Sequence, residues 1–529
     1  MTAGLLAGLF ERTARSDRGF RYGAEEAGLF VSYADLLSEA RSLAAALGRL
    51  DQRPRFIAAI WMEPSPSCYA AFMAVVLANG IPVPLHGSAS ADQVSDALEK
   101  LEAEVLLTVR SRWLPVTGSD GLARASAAGT IVVDGQTGEP YEAARDTSRG
   151  RRARSYEPPA ETAVVFMSSG STGKPKGILL SERNLLSNLA SIQASLRLTE
   201  ADTVLMTKSF GYSSTITGEW LLALQAGMHI ALAPGLLHPL QLVREIKRSR
   251  PTFLCTVPAV LLPLAKSSRW DARDLASLAK LIVVGAAMPS ETLLRLSERL
   301  PEVEIMPCYG LTEASPRVTC LPARQLAARP SSAGAAIPGV AISIRRDGMT
   351  VAPGEEGELY VNGPNVMLGY YDDDQRTSYA LTVHGLRTMD RGYMDEDGYL
   401  FLSGRSDSAF NVAGHLFHPE TLERTLLSHP AVREAAVTGV PDPIAGQRPV
   451  AYVIPERLSL DEAQALAAEL HAYCLNRMSA EGRPKDIAVV GELPRTPSGK
   501  ADRKAIQQMA KERDYDSRDG AIAAGTDGR

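Results

Sequence analysis

The order strand, helix, glycine stop, strand occurs twice in the first half of this chain, and it leaves few folds open. "RFIAAIWM" (55–62) reads as a buried strand, "PSCYAAFMAVVLANG" (66–80) as a helix ending at Asn79-Gly80, and "IPVPLH" as the next strand. "DTVLMTKSF" (202–210), "TGEWLLALQAG" (217–227) and "MHIALAP" repeat that layout, and "PTFLCTV", a helix and "LAKLIVVGAAM" (278–288) extend it. Strands joined through helices pair in parallel, so these stretches predict two similar α/β subdomains. From about 330 to 403 short β-rich runs alternate with Gly, Asn and Asp turns, which predicts a small barrel or distorted sheet. Beyond 404–408 the pattern is α+β: helix 419–428, strands 432–440 and 449–454, helix 460–478, strand 486–492 and helix 501–511. The fold class expected is therefore α/β, with a large N-terminal domain (1–403) and a small α+β C-terminal domain (409–512). The polar, glycine-rich tail 513–529 predicts disorder, and "DTSRGRRARSYEPPAET" (146–162) a solvated basic connector.

A chain of 529 residues is long enough for three or four compact units. A net charge of −5, with both signs mixed along the chain, argues against nucleic acid as the main partner. The five cysteines form no CxxC and no His/Cys spacing suited to zinc, and an odd, sparse set fits a reducing cytoplasm. "MTAGLLAGLFERTARSDRGF" is a poor signal peptide, and no apolar run is long enough to span a bilayer, so a cytoplasmic location is expected.

The densest cluster of chemistry is "MSSGSTGKPKG" (167–177). A P-loop would need G-x-x-x-x-G-K-[ST], but Lys174 is followed by Pro175, and Gly170 and Gly173 stand too close together. What remains is a loop rich in donors. Ser168, Ser169, Ser171 and Thr172 offer hydroxyls, Gly170 and Gly173 let backbone N–H groups approach closely, and Lys174 and Lys176 add charge. Such a loop suits phosphate; alone, it could equally be a flexible polar loop.

It is not alone. "MSSGSTGKPKG", "CYGLTEASP" (308–316), "GEEGELYVNGPNVMLGYY", "RTMDRGYMDEDGYLFLSGRSD" (387–407) and "LPRTPSGKADRKAI" (493–506) follow one another in order. That series closely resembles the adenylate-forming superfamily of acyl- and aryl-CoA synthetases, peptide-synthetase adenylation domains and luciferases. The likeness to acyl-CoA synthetases is the strongest. The resemblance implies that ATP and a carboxylic acid give an acyl-adenylate and pyrophosphate with Mg²⁺, and that a thioester follows with coenzyme A. It implies that the 168–177 loop wraps the β- and γ-phosphates, Tyr309 stacks on adenine, Thr312 bonds the α-phosphate and Glu313 holds Mg²⁺. Asp390 would accept the ribose hydroxyls and Arg405 would support ribose or phosphate. Lys500 would bridge the acid and the α-phosphate, a task that suits a compact ammonium. The 404–408 seam would be a hinge centred on Asp407, and Gly414 would let the incoming pantetheine arm approach.

For the acid, Phe210, Gly211, Tyr212, Ser213, Gly285, Ala286, Ala287 and Gly310 are the candidate contacts. Peptide-synthetase relatives usually carry an aspartate where this chain has Gly211, so no carboxylate meets an α-ammonium and an α-amino acid is not expected. Small residues at 285–287 leave room for an apolar or aromatic acid. Several positions depart from the family pattern: Glu182 stands for a frequent histidine, Met389 for a glycine, and Asn411 and Leu416 for basic residues of the thiol-side loop. The last two keep open a phosphopantetheine carrier protein as acceptor. A luciferase-like oxygenase or a non-catalytic acyl-adenylate sensor would share the same nucleotide half.

Overall fold

The computed structural model describes residues 4–512 apart from 24–27, 51–54, 110–111, 113–130, 138–153, 170–174, 234, 236–237, 407, 413–414, 443–444, 457–462, 476, 479–481 and 496–500. Local chemistry sets the first α/β unit. Ser65 caps helix Pro66–Leu77 by accepting from Cys68 N, and Pro66 fills its first turn. The helix is buried from Pro66 to Val75 except at Ser67, as an element apolar on every side must be. It stops where Asn79 turns to φ 58°, and Gly80 lies so close to Phe56 that a Cβ would come within 2.6 Å of the ring.

Two parallel sheets follow one plan. In the first, Ile81–Pro84, Ile57–Trp61, Val105–Thr108 and Ile131–Asp134 lie side by side in that order. In the second the order is His229–Leu232, Thr203–Met206, Phe253–Thr256, Lys280–Val283 and Glu304–Pro307. Both therefore have their first strand beside their second on one side and their third on the other, so the likeness between the halves extends to topology. The N-terminal hairpin Gly19–Tyr22 and Leu29–Ser32 adds to the second sheet, not the first: Gly19–Tyr22 runs parallel to His229–Leu232.

Strands Thr162–Ser169 and Pro175–Ser181 pair antiparallel with Ser168 opposite Lys176, and Gly369–Tyr370 joins their far edge. The phosphate-loop residues Gly170 to Lys174 fall between these two strands in sequence and lie outside the described residues. The β-rich stretch becomes an antiparallel sheet in which Gly357–Asn362 and Leu400–Arg405 flank Gly385–Met394. In the small domain Val432–Asp442 and Gly446–Pro455 form a long hairpin, edged by Asp486–Val489, with helices Pro419–Leu427, Ala463–Leu475 and 503–512 against it. Lys266 of the large domain meets Glu456 at 3.3 Å and the Val432 carbonyl.

The connector expected to be solvated is partly built in. Arg154 of the basic connector is 8% exposed and pairs with Glu104 at 3.1 Å, because a guanidinium can be buried when a carboxylate is buried with it. In the 395–397 turn, Asp395 pairs with Arg329 at 2.8 Å and Asp397 binds the same guanidinium. The tail 513–529 lies outside the described residues. All five cysteines are unpaired and buried, and no described helix is long and apolar enough to cross a membrane.

Candidate active site

The second sheet sends its loops out from the carboxyl ends of its strands, where open α/β sheets hold their ligands. Residues 207–213 leave Thr203–Met206, 284–287 leave Lys280–Val283, and 308–313 leave the adjacent Glu304–Pro307. Gly310 is required in the last of these, since a Cβ there would sit 2.0 Å from the Pro316 carbonyl oxygen. Thr312 begins a short helical turn, and its Oγ1 lies 3.1 Å from Ser213 Oγ.

Glu313 is the junction. Its carboxylate is 8% exposed and accepts from Lys176 Nζ at 2.5 Å and from the Tyr370 hydroxyl at 3.0 Å. Lys176 also lies over the Tyr370 ring, 4.7 Å from its centroid. Burial raises the Glu313 pKa, but the charge and hydrogen bond of Lys176 outweigh it and hold the carboxyl below its ordinary range. The pair therefore contributes stability above the unfolded carboxylate's pKa, and loses it as pH falls through the depressed folded value. Ser168, opposite Lys176, has a buried Oγ without a hydrogen-bond partner among the described residues, which leaves a donor free at the base of the loop.

Mg²⁺ fits these residues in one specific way. The described residues contain no cluster of three or more acidic, His or Cys side chains that could cage a metal. A single buried carboxylate beside a phosphate loop is what Mg²⁺ needs when phosphates complete its shell.

A second charged pair spans two strands. Asp390 and Arg405 are direct cross-strand partners, and Arg405 Nη1 lies 3.3 Å from Asp390 Oδ1. The Tyr309 hydroxyl donates to the other carboxylate oxygen. Burial, with the Asp390 charge adding to it, keeps that phenol protonated well above its ordinary range, so it remains a donor. Asp390 is aimed by a bulge: the pairing of Gly357–Asn362 with Gly385–Met394 slips between Glu358 and Tyr360, and the Arg387–Glu358 fork (2.9 and 2.8 Å) pins it. Met389 sits in that bulge at φ 67°, where the family pattern has glycine. A left-handed backbone is costly for a side-chain-bearing residue, so Met389→Gly is expected to raise unfolding stability by about 1 kcal/mol. Denaturant unfolding checks this, and an unchanged or lowered midpoint rejects it.

The acid-site candidates divide. Gly285, Ala286 and Ala287 are exposed at the strand ends, with Gly285 at φ 87°. Phe210 is fully buried and packs edge-on against Tyr69 at 5.2 Å, so its ring belongs to the core. At Gly211 an added Cβ would come 2.7 Å from His86 N, and the Tyr212 ring lies 4.5 Å from the His86 ring. Gly170, Ser171, Thr172, Gly173, Lys174, Asp407, Gly414 and Lys500 lie outside the described residues, and of Ser169 only its strand pairing is described.

One residue in the site was not singled out from the sequence, and one departure from the family pattern proves structural. Tyr370 ends the "NVMLGYY" segment and bonds Glu313, and an aromatic pair at the close of a motif was the available signal. Glu182, the departure from histidine, accepts from Leu5 N at 2.8 Å and Leu6 N at 3.1 Å. It thereby caps helix Leu5–Thr13 with charge at the positive end of its dipole.

A family model described as AMP-binding enzyme matches residues 10–371, and one described as AMP-binding enzyme C-terminal domain matches 421–500. An indoleacetate–CoA ligase from Aromatoleum aromaticum is 30% identical over 493 residues, covering 92% of this chain and 94% of its own. A sulfoacetate–CoA ligase from Cupriavidus necator is 32% identical over 353 residues, covering 66% and 68%. Among solved structures, the o-succinylbenzoate CoA synthetase from Bacillus subtilis in complex with its acyl-adenylate intermediate aligns over 94% of this chain and 97% of its own, with a TM-score of 0.79 and 25% identity. An anthranilate CoA ligase in complex with anthranoyl-AMP shares the fold, with a TM-score of 0.83, 24% identity and coverage of 96% and 98%.

Proposed function

This chain belongs to the AMP-binding enzyme family, and from that premise we propose how its residues carry out the reaction. It is an acid–thiol ligase: it joins a carboxylic acid to the α-phosphate of ATP, releases pyrophosphate, and passes the acyl group to coenzyme A. The observation that carries the residue roles is the convergence of two bonded sets, Lys176 with Glu313 and Tyr309 with Asp390 and Arg405, which four separate segments supply and the 309–313 segment brings side by side.

A carboxylate and a triphosphate repel each other, so the site must hold them in line and supply positive charge. Asp390, its two oxygens held by Tyr309 and Arg405, fixes the ribose, while the Tyr309 ring takes adenine. Glu313 would hold Mg²⁺, which neutralises phosphate charge when bound. Lys176, on leaving Glu313, turns to the phosphates beside Ser168 and residues 169–174. Thr312, steadied by Ser213, bonds the α-phosphate. Lys500 supplies the charge between the two reactants, Asp407 is the hinge between domains 1–403 and 409–512, and Gly414 admits the thiol arm. Small residues at 285–287 form the open floor that receives the acid, with Tyr212 and Gly310 at its edge.

Exclusion of α-amino acids rests on packing as well as on charge. The His86 backbone occupies the space that an aspartate at position 211 would need. Asn411, exposed on strand Phe410–Val412, adds no charge for a nucleotide phosphate of the thiol substrate. Five unpaired thiols fit a reducing compartment, which we take to be the cytoplasm.

ATP–pyrophosphate exchange across a panel of carboxylic acids, followed by mass detection of product with coenzyme A or a phosphopantetheinylated carrier, tests the reading. Acid-dependent exchange and an acyl-CoA product are expected. Exchange with no acid would favour a nucleotide sensor, and thioester only on the carrier would reassign the acceptor.

A further inference from the structure

The second sheet buries charge at its switch point that the adenylation chemistry leaves unused. Its first strand, Thr203–Met206, lies between the second and third, so the loops after Met206 and Thr256 diverge and open a crevice between them. Lys208 enters that crevice at 3% exposure, Glu219 is wholly buried and Arg317 is 3% exposed. Lys208 Nζ lies 3.4 Å from Glu219 Oε2, and contacts Ser214 Oγ at 3.2 Å and Cys255 Sγ at 3.3 Å. Glu219 sits in the π-helical stretch Ile216–Leu221, where the wider turn changes which side chains face inward.

Lys208 pairs with the Glu219 carboxylate, Arg317 acts on it only through its charge, and the set is not satisfied internally. Among the described residues neither Glu219 oxygen accepts a hydrogen bond, Arg317 Nη2 donates none, and the buried hydroxyls of Thr217 and Thr256 have no partner. Buried polar atoms are nearly always paired, and buried charge more strictly so. The missing partner can enter from the acid site. Ser214, bound by Lys208, follows Ser213, which touches Thr312. Val257, next to Thr256, lies 3.4 Å from a Cβ built on Gly285 of the open floor. Gly218 presents no side chain to Arg317, whose Nη2 would be 3.7 Å from a Cβ there.

We propose that Lys208, Glu219 and Arg317 recognise a second anionic group on the acid, a carboxylate or sulfonate separated by a short carbon chain from the carboxylate that is adenylated. This rests on the adenylating reading above. It replaces the apolar or aromatic acid suggested by the small floor residues, because an apolar tail would leave Arg317 Nη2 and the surplus positive charge uncompensated. Burial pushes the Glu219 carboxyl up to about 7, with Lys208 opposing, so near neutral pH it can take the proton that an incoming anion favours.

Pyrophosphate exchange with butanoate, succinate and 3-sulfopropanoate in matched assays tests this and separates the two anions. The wild type is expected to prefer succinate or 3-sulfopropanoate over butanoate by about tenfold or more in kcat/KM. Arg317→Met should erase about tenfold or more of that preference while retaining exchange on butanoate, and Arg317→Lys should keep part of it. Thermal unfolding monitors the fold of each variant, and the wild-type comparison stands without them. Equal or better use of butanoate by the wild type, or a parallel loss on all three acids in Arg317→Met, overturns the inference. Exchange with other monoacids but neither dianion also overturns it and leaves adenylation intact, whereas no exchange with any acid overturns both.

Discussion

Lys500→Ala is expected to lower ATP–pyrophosphate exchange by about 100-fold or more while leaving ATP binding intact. The mutated group acts where charge builds as the acid attacks the α-phosphate, and removing one such stabilising group typically costs about 10²–10³ in rate. In the proposed arrangement ATP is held by other residues, chiefly Tyr309, Asp390, Arg405 and Lys176, so its affinity has no reason to fall. Lys500 lies outside the described residues, but the base of its loop is fixed. Arg495 and Ala501 form a backbone bridge across it, and Asp502 N donates to Pro494 O at 2.8 Å. Arg495 also grips Glu434 with two 2.7 Å contacts. Lys500→Arg should not restore the rate, because a planar fork replaces a point charge. Exchange near the wild-type rate in Lys500→Ala rejects the assignment, and loss of ATP binding together with exchange points to a structural role.

Glu313→Gln carries the next largest expected effect, about 100-fold on exchange, with the Mg²⁺ concentration for half-maximal rate moved upward. Two charges depend on this carboxylate: Lys176, at 2.5 Å, and the Mg²⁺ that would take its place. The amide retains the shape and an acceptor for Tyr370 but loses the charge that both cations need. Tyr370→Phe removes one neutral hydrogen bond to the same oxygen and should cost far less. An unchanged Mg²⁺ dependence in Glu313→Gln would remove the metal role. Equal losses in Glu313→Gln and Tyr370→Phe would mean that packing around the carboxylate, not its charge, supports the rate.

The signals legible in the sequence were those that repeat or stand close together along the chain. Apolar strand, helix and glycine stop recur at 57–84 and 203–232, and both become parallel units with the same strand order. The glycine-dense loop and "YGLTE" were readable because backbone conformation and donor density are local properties. Illegible were the partners brought in from a distance. Tyr370 reaches Glu313 from 57 residues away, Glu182 caps a helix 177 residues earlier in the chain, and Arg317 comes near the thiol of Cys255 in the switch-point cluster. Lys208, in an apolar strand-like run, gave no sign that it would be buried, because a sequence shows a charge but not what will surround it.

By itself, then, the sequence determined the alternation of elements, the glycine-dependent turns and the order of the chemical motifs, since each follows from residue type and short spacing. Only the tertiary structure decided that the N-terminal hairpin extends the second sheet, that Met389 takes a left-handed position in the bulge aiming Asp390, and that Lys208, Glu219 and Arg317 are buried close together. Those outcomes depend on contacts between distant segments, whose energies arise from burial and pairing that exist only once the chain has closed on itself.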